Sequence, residues 1–358
     1  MEVSGISRLF FVLATLALIL HIAHIGAGVL VPLVIAAFLS FLIVTFKNLI
    51  CEIPVIGKKL PGWLGFLIAF LAIAIGFFLL VQIIRSNVAA LIADAPEYQR
   101  KLIALLDRVQ ALAPPGVIDD SLWQELRRNI RIGGVLSEVA EPLRRLAASA
   151  FTIFLYTGFL LAERGSFAKK IAAATASPDR TKSVNEMIDD ISFRIRQYLS
   201  IKTFTSALTA ILSYVVLLMI GVDYASFWAV LIFVLNFIPI IGSIVAVAFP
   251  VLLTIVQFGS LSTFLIALAA LTGVQQLVGS IIEPRLLGAS LNLSPLVILL
   301  SLAIWGAIWG VAGMLLCVPI MVAAMIVLAQ FDSTRAIAVF LSSNGEVGQA
   351  AAPKKPLA

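Results

Sequence analysis

The run YASFWAVLIFVLNFIPIIGSIVAVAFPVLLTIVQFGSLSTFLIALAALTGVQQLVGSII, from Tyr224 to Ile282, passes 59 residues without one formal charge. A membrane-spanning helix needs about 20 apolar residues, because each adds ~1.5 Å against a hydrocarbon core of ~30 Å. The run therefore holds roughly three passes or half-passes. Leu286 to Phe331 adds 46 charge-free residues, enough for about two more. Working toward the N-terminus, Thr203–Val222, Leu146–Ala162, Leu60–Ile84, Gly28–Phe46 and Leu9–Ile25 are further apolar stretches. Amides buried in lipid must be paired within their own segment, so these stretches are read as helices. The expected fold is all-α: a polytopic integral membrane protein with about eight transmembrane segments.

Composition agrees. Of 358 residues, 61% are hydrophobic and 12% charged, and mean hydropathy is +1.09, which is too apolar for an ordinary soluble domain. That balance excludes a disordered chain, a disulfide scaffold and a nucleic-acid binder. The net charge of +6 fits Lys and Arg retained on the cytoplasmic side of a membrane protein. Cys51 and Cys317 are too few and too far apart for a disulfide framework or a metal cluster. No cofactor is implied.

The first two apolar runs read as a membrane hairpin turning at Gly26-Ala27-Gly28, with no A-x-A cleavage signal between them. His21 and His24 lie one helical turn apart near that turn, without a neighbouring carboxylate or thiol to complete a metal site. The loop Lys47–Lys59 carries Lys47, Lys58 and Lys59 against Glu52, which assigns it to the cytoplasm. Six regions follow: 1–84, transmembrane helices one to three; 85–145, an external helical insertion; 146–162, helix four; 163–202, a cytoplasmic amphipathic linker; 203–331, the transmembrane core; and 332–358, a tail with Lys354 and Lys355.

Within the insertion, Pro96 is expected to open a helix that ends at Pro114-Pro115-Gly116. Asp120-Ser121 would cap a second helix holding Trp123, Leu126 and Ile130, and Gly133-Gly134 would separate a third. In the linker, Val184, Met187, Ile188, Ile191, Ile195, Tyr198 and Leu199 mark one apolar helix face after Pro178. Arg194, Arg196 and Lys202 flank it, as on a helix lying at an anionic membrane surface or coupled to the bundle.

Two late segments are broken in a way that simple spans are not. One is Asn236-Phe237-Ile238-Pro239-Ile240-Ile241-Gly242, followed by Pro250; the other is Trp305 to Gly313 with Gly306 and Gly310, followed by Pro319. Proline removes a donor, and freed backbone groups at membrane depth are tolerated where they are buried or line a watery cavity. Paired interruptions point to a transporter's binding region, with the segments spanning or doubling back; Gly306-x-x-x-Gly310 also fits plain helix packing. Between them lie Gln275-Gln276 and the charges Glu283 and Arg285, read either as a solvated loop or as a functional pair. The candidate pathway residues are Asn236, Pro239, Gly242, Gln275, Gln276, Glu283, Arg285, Gly310, Gly313 and Pro319.

Tyr224-Ala225, Asn236-Phe237-Ile238-Pro239-x-x-Gly242, Gln275-Gln276, Glu283-Pro284 with Gly288, Leu293-Ser294-Pro295, Gly310 with Gly313, and Val318-Pro319 together resemble the autoinducer-2 exporter family of bacterial permeases. The likeness covers nearly the whole chain. In one departure, Tyr198-Leu199 is followed by Ser200-Ile201-Lys202, where family members often carry a Gly-Gln-like pair. The resemblance implies a multi-pass permease of the bacterial inner membrane and a homo-oligomer, with a pentamer as one arrangement. It implies export of a small polar solute such as a quorum-sensing signal, or exchange of a monovalent cation for protons.

No G-x-x-x-x-G-K-[ST] loop is present to hydrolyse ATP, so a gradient must supply the energy. An intramembrane enzyme would need H-E-x-x-H, a G-x-S-x-G elbow or paired membrane aspartates, and none is present, so no enzyme is expected. The other reading is a membrane scaffold or sensor acting through the external insertion.

Overall fold

The computed structural model describes residues 5–52, 61–112, 121, 124–125, 132–175, 177–287 and 292–347. Among these residues the chain is helical, apart from turns and one isolated antiparallel bridge between Leu293 and Ser342. The helices are α1 (Gly5–Ile25), α2 (Ala27–Glu52), α3 (Gly62–Leu112), α4 (Ile132–Ala148), α5 (Ala150–Ala174), α6 (Pro178–Ile220), α7 (Ala225–Leu235), α8 (Ile241–Phe258), α9 (Leu261–Gln275), α10 (Pro295–Ala329) and α11 (Asp332–Leu341). Beyond α9 the chain continues as a π-helical stretch, Gln276–Ile282, and a last turn, Glu283–Leu287.

Six of these helices are long and apolar enough to cross a membrane: α2, α3, α6, α8, α9 with its continuation, and α10. A seventh follows if the end of α4 and the start of α5, bent by 49° at Ser149, make one span. The apolar part of α1, Leu13–Ile25, and the 11 residues of α7 fall short on length. Outward faces are apolar, with Phe151 and Met219 about four-fifths exposed, as suits helices bathed in lipid rather than water. The chain is a multi-pass membrane protein.

It divides into two compact units, one of residues 1–69, 149–200 and 289–358, the other of residues 70–148 and 201–288. In the first unit α2 packs on α5, where Thr157 is fully buried beside Ala36 and bonds back to the Ile153 carbonyl at 2.7 Å. There α10 packs on α1, α2 and α11. The second unit buries Ile84, Val88 and Leu91 of α3 together with Phe227, Trp228 and Leu231 of α7 and Val247 and Val251 of α8.

Local expectations fail where packing outweighs punctuation. Pro96 lies inside α3 and does not open a helix. Ile84, Val88, Leu91, Ala95 and Tyr98 form one buried stripe that runs across it. Burying four large side chains at ~1.5–3 kcal/mol each outweighs a proline cost of ~3 kcal/mol. Gly133 and Gly134, expected as a separator, lie within the first turn of α4. Lys47 and Glu52, expected in a basic loop, lie in the last turns of α2, while the rest of that loop to Lys59, most of the second insertion helix and Lys354-Lys355 lie outside the described residues. The linker helix and the following span are one helix, α6, which opens at Pro178 and continues through Lys202.

Candidate functional site

In the second unit, α7 and α8 form a tight hairpin. Its tip is a γ-turn: Ile240 has φ 60° and ψ −65°, and the Ile241 amide donates to the Pro239 carbonyl at 2.6 Å. Positive φ is strained for a β-branched residue. Just beyond it Gly242 is buried, and a Cβ there would fall 1.8 Å from the Leu235 carbonyl oxygen, so only glycine permits this approach. The base of the hairpin is stitched by Gln257, whose amide nitrogen donates to the Gly221 carbonyl at 2.9 Å and whose oxygen accepts from the Asp223 amide at 3.0 Å. Tyr98 donates to Asp223 at 2.8 Å, and Tyr224 donates to Asp94. Burial, then the bond to Asp94, pushes the Tyr224 phenol up to about 12.

Near the tip, buried Asn236 donates to Ser206 at 3.0 Å. Ser206 belongs to a buried polar stripe on α6 that also holds Lys202, Thr205, Thr209 and Ser213. At its head Lys202 donates to Glu283 Oε1 at 2.6 Å, and the Thr205 hydroxyl lies 3.1 Å from Glu283 Oε2. Lys202 is only 7% exposed. This corrects its reading as an interfacial flanking charge: its partner lies 81 residues along the chain, where a local pattern gives no sign of it.

Glu283 directly follows the π-helical stretch, an irregularity frequent at functional sites because it re-aims the side chains around it. Glu283 is thus half-buried in a helix and paired, whereas Arg285 is exposed and not its partner. Gln275 buries its side-chain nitrogen without a hydrogen-bond partner, and Gln276 accepts from Ser280 at 2.7 Å.

The first unit holds a comparable element. Gly310 has φ 61° and ψ −141° inside α10, which breaks the helix there. Residues eight apart on a straight helix are about 12 Å apart. Here a Cβ on Gly313 would lie 1.9 Å from the Trp305 carbonyl oxygen, and one on Gly306 would lie 2.8 Å from the end of Met314. The two arms of α10 therefore meet. Gly306-x-x-x-Gly310 serves this reversal within one chain segment. Gly313 and Pro319 are buried, while Gly310 is exposed at the tip.

Each unit thus contains a hairpin with a positive-φ tip and a buried glycine against a carbonyl seven or eight residues back. The AI-2E transporter family model matches residues 9–332. This chain belongs to the AI-2E transporter family. A Haemophilus influenzae relative, assigned to transport by name, is 32% identical over 349 residues, covering 94% of this chain and 97% of its own. The AI-2 transport protein TqsA of Escherichia coli K12 is 29% identical over 339 residues, covering 94% and 95%. A Borreliella burgdorferi relative, likewise assigned to transport by name, is 29% identical over 340 residues, covering 95% and 91%. Transport is the role these names share.

For this AI-2E transporter, sequence reading missed Lys202 and the α6 hydroxyls. The signal was present: positions 202, 205, 206, 209 and 213 recur at helical spacing within an apolar span.

Proposed function

We propose that this AI-2E transporter is a gradient-driven permease of the bacterial inner membrane that exports a small polar solute or exchanges a monovalent cation for protons. The observation that carries this reading is the buried polar set of the second unit: Asn236 on Ser206, and Glu283 held by Lys202 and Thr205. Ionisable groups inside a spanning bundle are costly, and they mark solute and proton routes. Asn236, Gln275 and Gln276 supply hydrogen bonds suited to a hydroxylated solute. The strained backbone from Pro239 to Gly242 supplies carbonyls suited to a cation, and Glu283 carries the proton. Gly310, Gly313 and Pro319 shape the α10 hairpin, and Arg285 stands at the exposed end of the Glu283 helix.

Both hairpins are taken as re-entrant. The Gln257 stitch to Gly221 and Asp223 supports this for α7–α8. For α10, Asn292 and Gln330 border one cavity of about 240 Å³, so the two ends of the hairpin lie together. With the Lys47–Lys59 loop cytoplasmic and the bent α4–α5 pair taken as one span, α3 runs outward, α4–α5 returns and α6 runs outward, so the α7–α8 hairpin enters from the outer face. The homo-oligomer, a pentamer included, belongs to the same reading, as does the name of the Escherichia coli relative, which points to autoinducer-2 as a first cargo to try.

Proteoliposomes with and without an imposed pH gradient test it, using autoinducer-2, sodium and potassium in parallel. The reading expects gradient-dependent flux of at least one, lost in the double variant Glu283→Gln/Asn236→Ala. Wild-type flux from that variant would remove both residues from the pathway.

A further inference from the structure

The tip of the α10 hairpin is not held by its own arms alone. His24, at the end of α1, has Nδ1 3.1 Å from the Ile308 carbonyl oxygen, and a carbonyl only accepts, so the ring donates. In return Trp309 Nε1 donates to the Ala23 carbonyl at 2.9 Å. The exchange is reciprocal between adjacent residues on each side: 23 and 24 of α1, 308 and 309 of the hairpin.

Both acceptors are carbonyls that regular helix geometry leaves short of partners. Ala23 lies in the last turn of α1, which ends at Ile25, where the final carbonyls have no intrahelical donor. Ile308 lies two residues before the Gly310 break. The Trp309 ring is fixed by Trp305, 4.9 Å away between centroids. Along α1, α2 and α10 the charges are Arg8, Lys47 and Glu52, all far from the α1–α2 turn, and His21 is the other titratable group near it.

We propose that His24 and Trp309 are positioning residues of the transporter, a two-bond latch that holds the α10 hairpin tip against α1 and sets how often the hairpin opens. The proposal rests on α10 acting as a re-entrant element of the pathway. Gly310 supplies the pivot: it is exposed, already at positive φ, and has no atom within 4 Å of where a Cβ would stand. Below the tip, Ser301 on the first arm of the hairpin is 3% exposed and Cys317 on the second is fully buried. Opening the latch uncovers that thiol.

The native thiol is therefore the reporter. In a Cys51→Ser background of the full-length protein in lipid nanodiscs, Cys317 is labelled with a water-soluble maleimide and the rate is followed. One ordinary hydrogen bond corresponds to about a fivefold change in the open population. The latch predicts about fivefold faster labelling in His24→Ala and in Trp309→Phe, and a larger rise in the double variant. His24→Asn keeps a side-chain N–H, and its rate should return toward the background rate.

Unchanged rates in monodisperse single and double variants would overturn the latch, as would His24→Asn labelling as fast as His24→Ala. If Trp309→Phe fails to give monodisperse protein, the two His24 variants decide, because His24 is exposed. Flux measured on the same proteins separates the readings. Altered labelling in the variants with no flux from the unsubstituted protein removes transport and leaves only a structural latch, whereas intact flux with unaltered labelling removes the latch and leaves transport.

Discussion

The Lys202 ammonium lies 2.6 Å from a carboxylate oxygen of Glu283, with 9% and 15% of the two side chains exposed. Lys202 is on α6 and Glu283 opens the last turn after the π-helical stretch, so the pair ties two helices within an apolar unit. Removing one member of such a pair leaves a buried charge alone, at a cost of about 3–5 kcal/mol, whereas replacing both is far milder. Lys202→Met and Glu283→Gln should each lower the melting temperature strongly, and the double variant should recover most of the loss. Thermal unfolding in detergent across the full mutant cycle checks this. Additive losses would mean that the two side chains do not act as a pair.

Gly242 and Gly313 answer to the same geometry in separate units. A methyl at either meets a carbonyl oxygen at under 2 Å, whereas at Gly273 it meets nothing within 4 Å. Overpacking of this kind costs about 1–3 kcal/mol or more because backbone, not a flexible side chain, must move. Gly242→Ala and Gly313→Ala should each be destabilised by at least that much, with Gly273→Ala close to wild type. Equal stability across the three would contradict the close approach.

Ile240 carries the strain of the γ-turn at the α7–α8 tip, with φ 60°. Glycine takes that conformation without penalty, and strained residues cost about 1–3 kcal/mol. Ile240→Gly should therefore raise stability by about 1 kcal/mol, less whatever the added unfolded-state freedom removes. A loss of more than that in thermal unfolding would show that the Ile240 side chain contributes more than its backbone costs.

Tyr224 gives a pH signature. Its phenol is raised to about 12 by burial and by Asp94, against ~10 for a free tyrosine. Folding thus favours the protonated form. The stabilisation is complete below ~10 and is lost as pH rises through about 12. The melting-temperature gap between wild type and Tyr224→Phe should hold from pH 7 to about 10 and close above it. A gap that closes near pH 8 would contradict the assignment.

The membrane class was legible because charge-free runs leave no other solvent for so much apolar surface. The breaks at Pro239–Gly242 and at Gly310–Gly313 were legible too, since proline and glycine act through local backbone sterics. What was not legible depends on partners distant in sequence. Lys202 reads as a helix-flanking cation until Glu283 is placed beside it, and Pro96 reads as a helix start until the stripe from Ile84 to Tyr98 is seen to pack as one face. His24 gave no sign that a carbonyl 284 residues away would need its N–H.

The central claim is that α7 and α8 double back within the bilayer and bring a wet, polar tip to Asn236. Side-specific labelling of single cysteines with a membrane-impermeant thiol reagent tests it most directly, in a background lacking Cys51 and Cys317. Asp223→Cys and Ser260→Cys, at the two ends of the hairpin, should react from the same face of the membrane, and Ser243→Cys near the tip should react with a small water-soluble reagent. Labelling of the two ends from opposite faces, with Ser243→Cys inert, would contradict it.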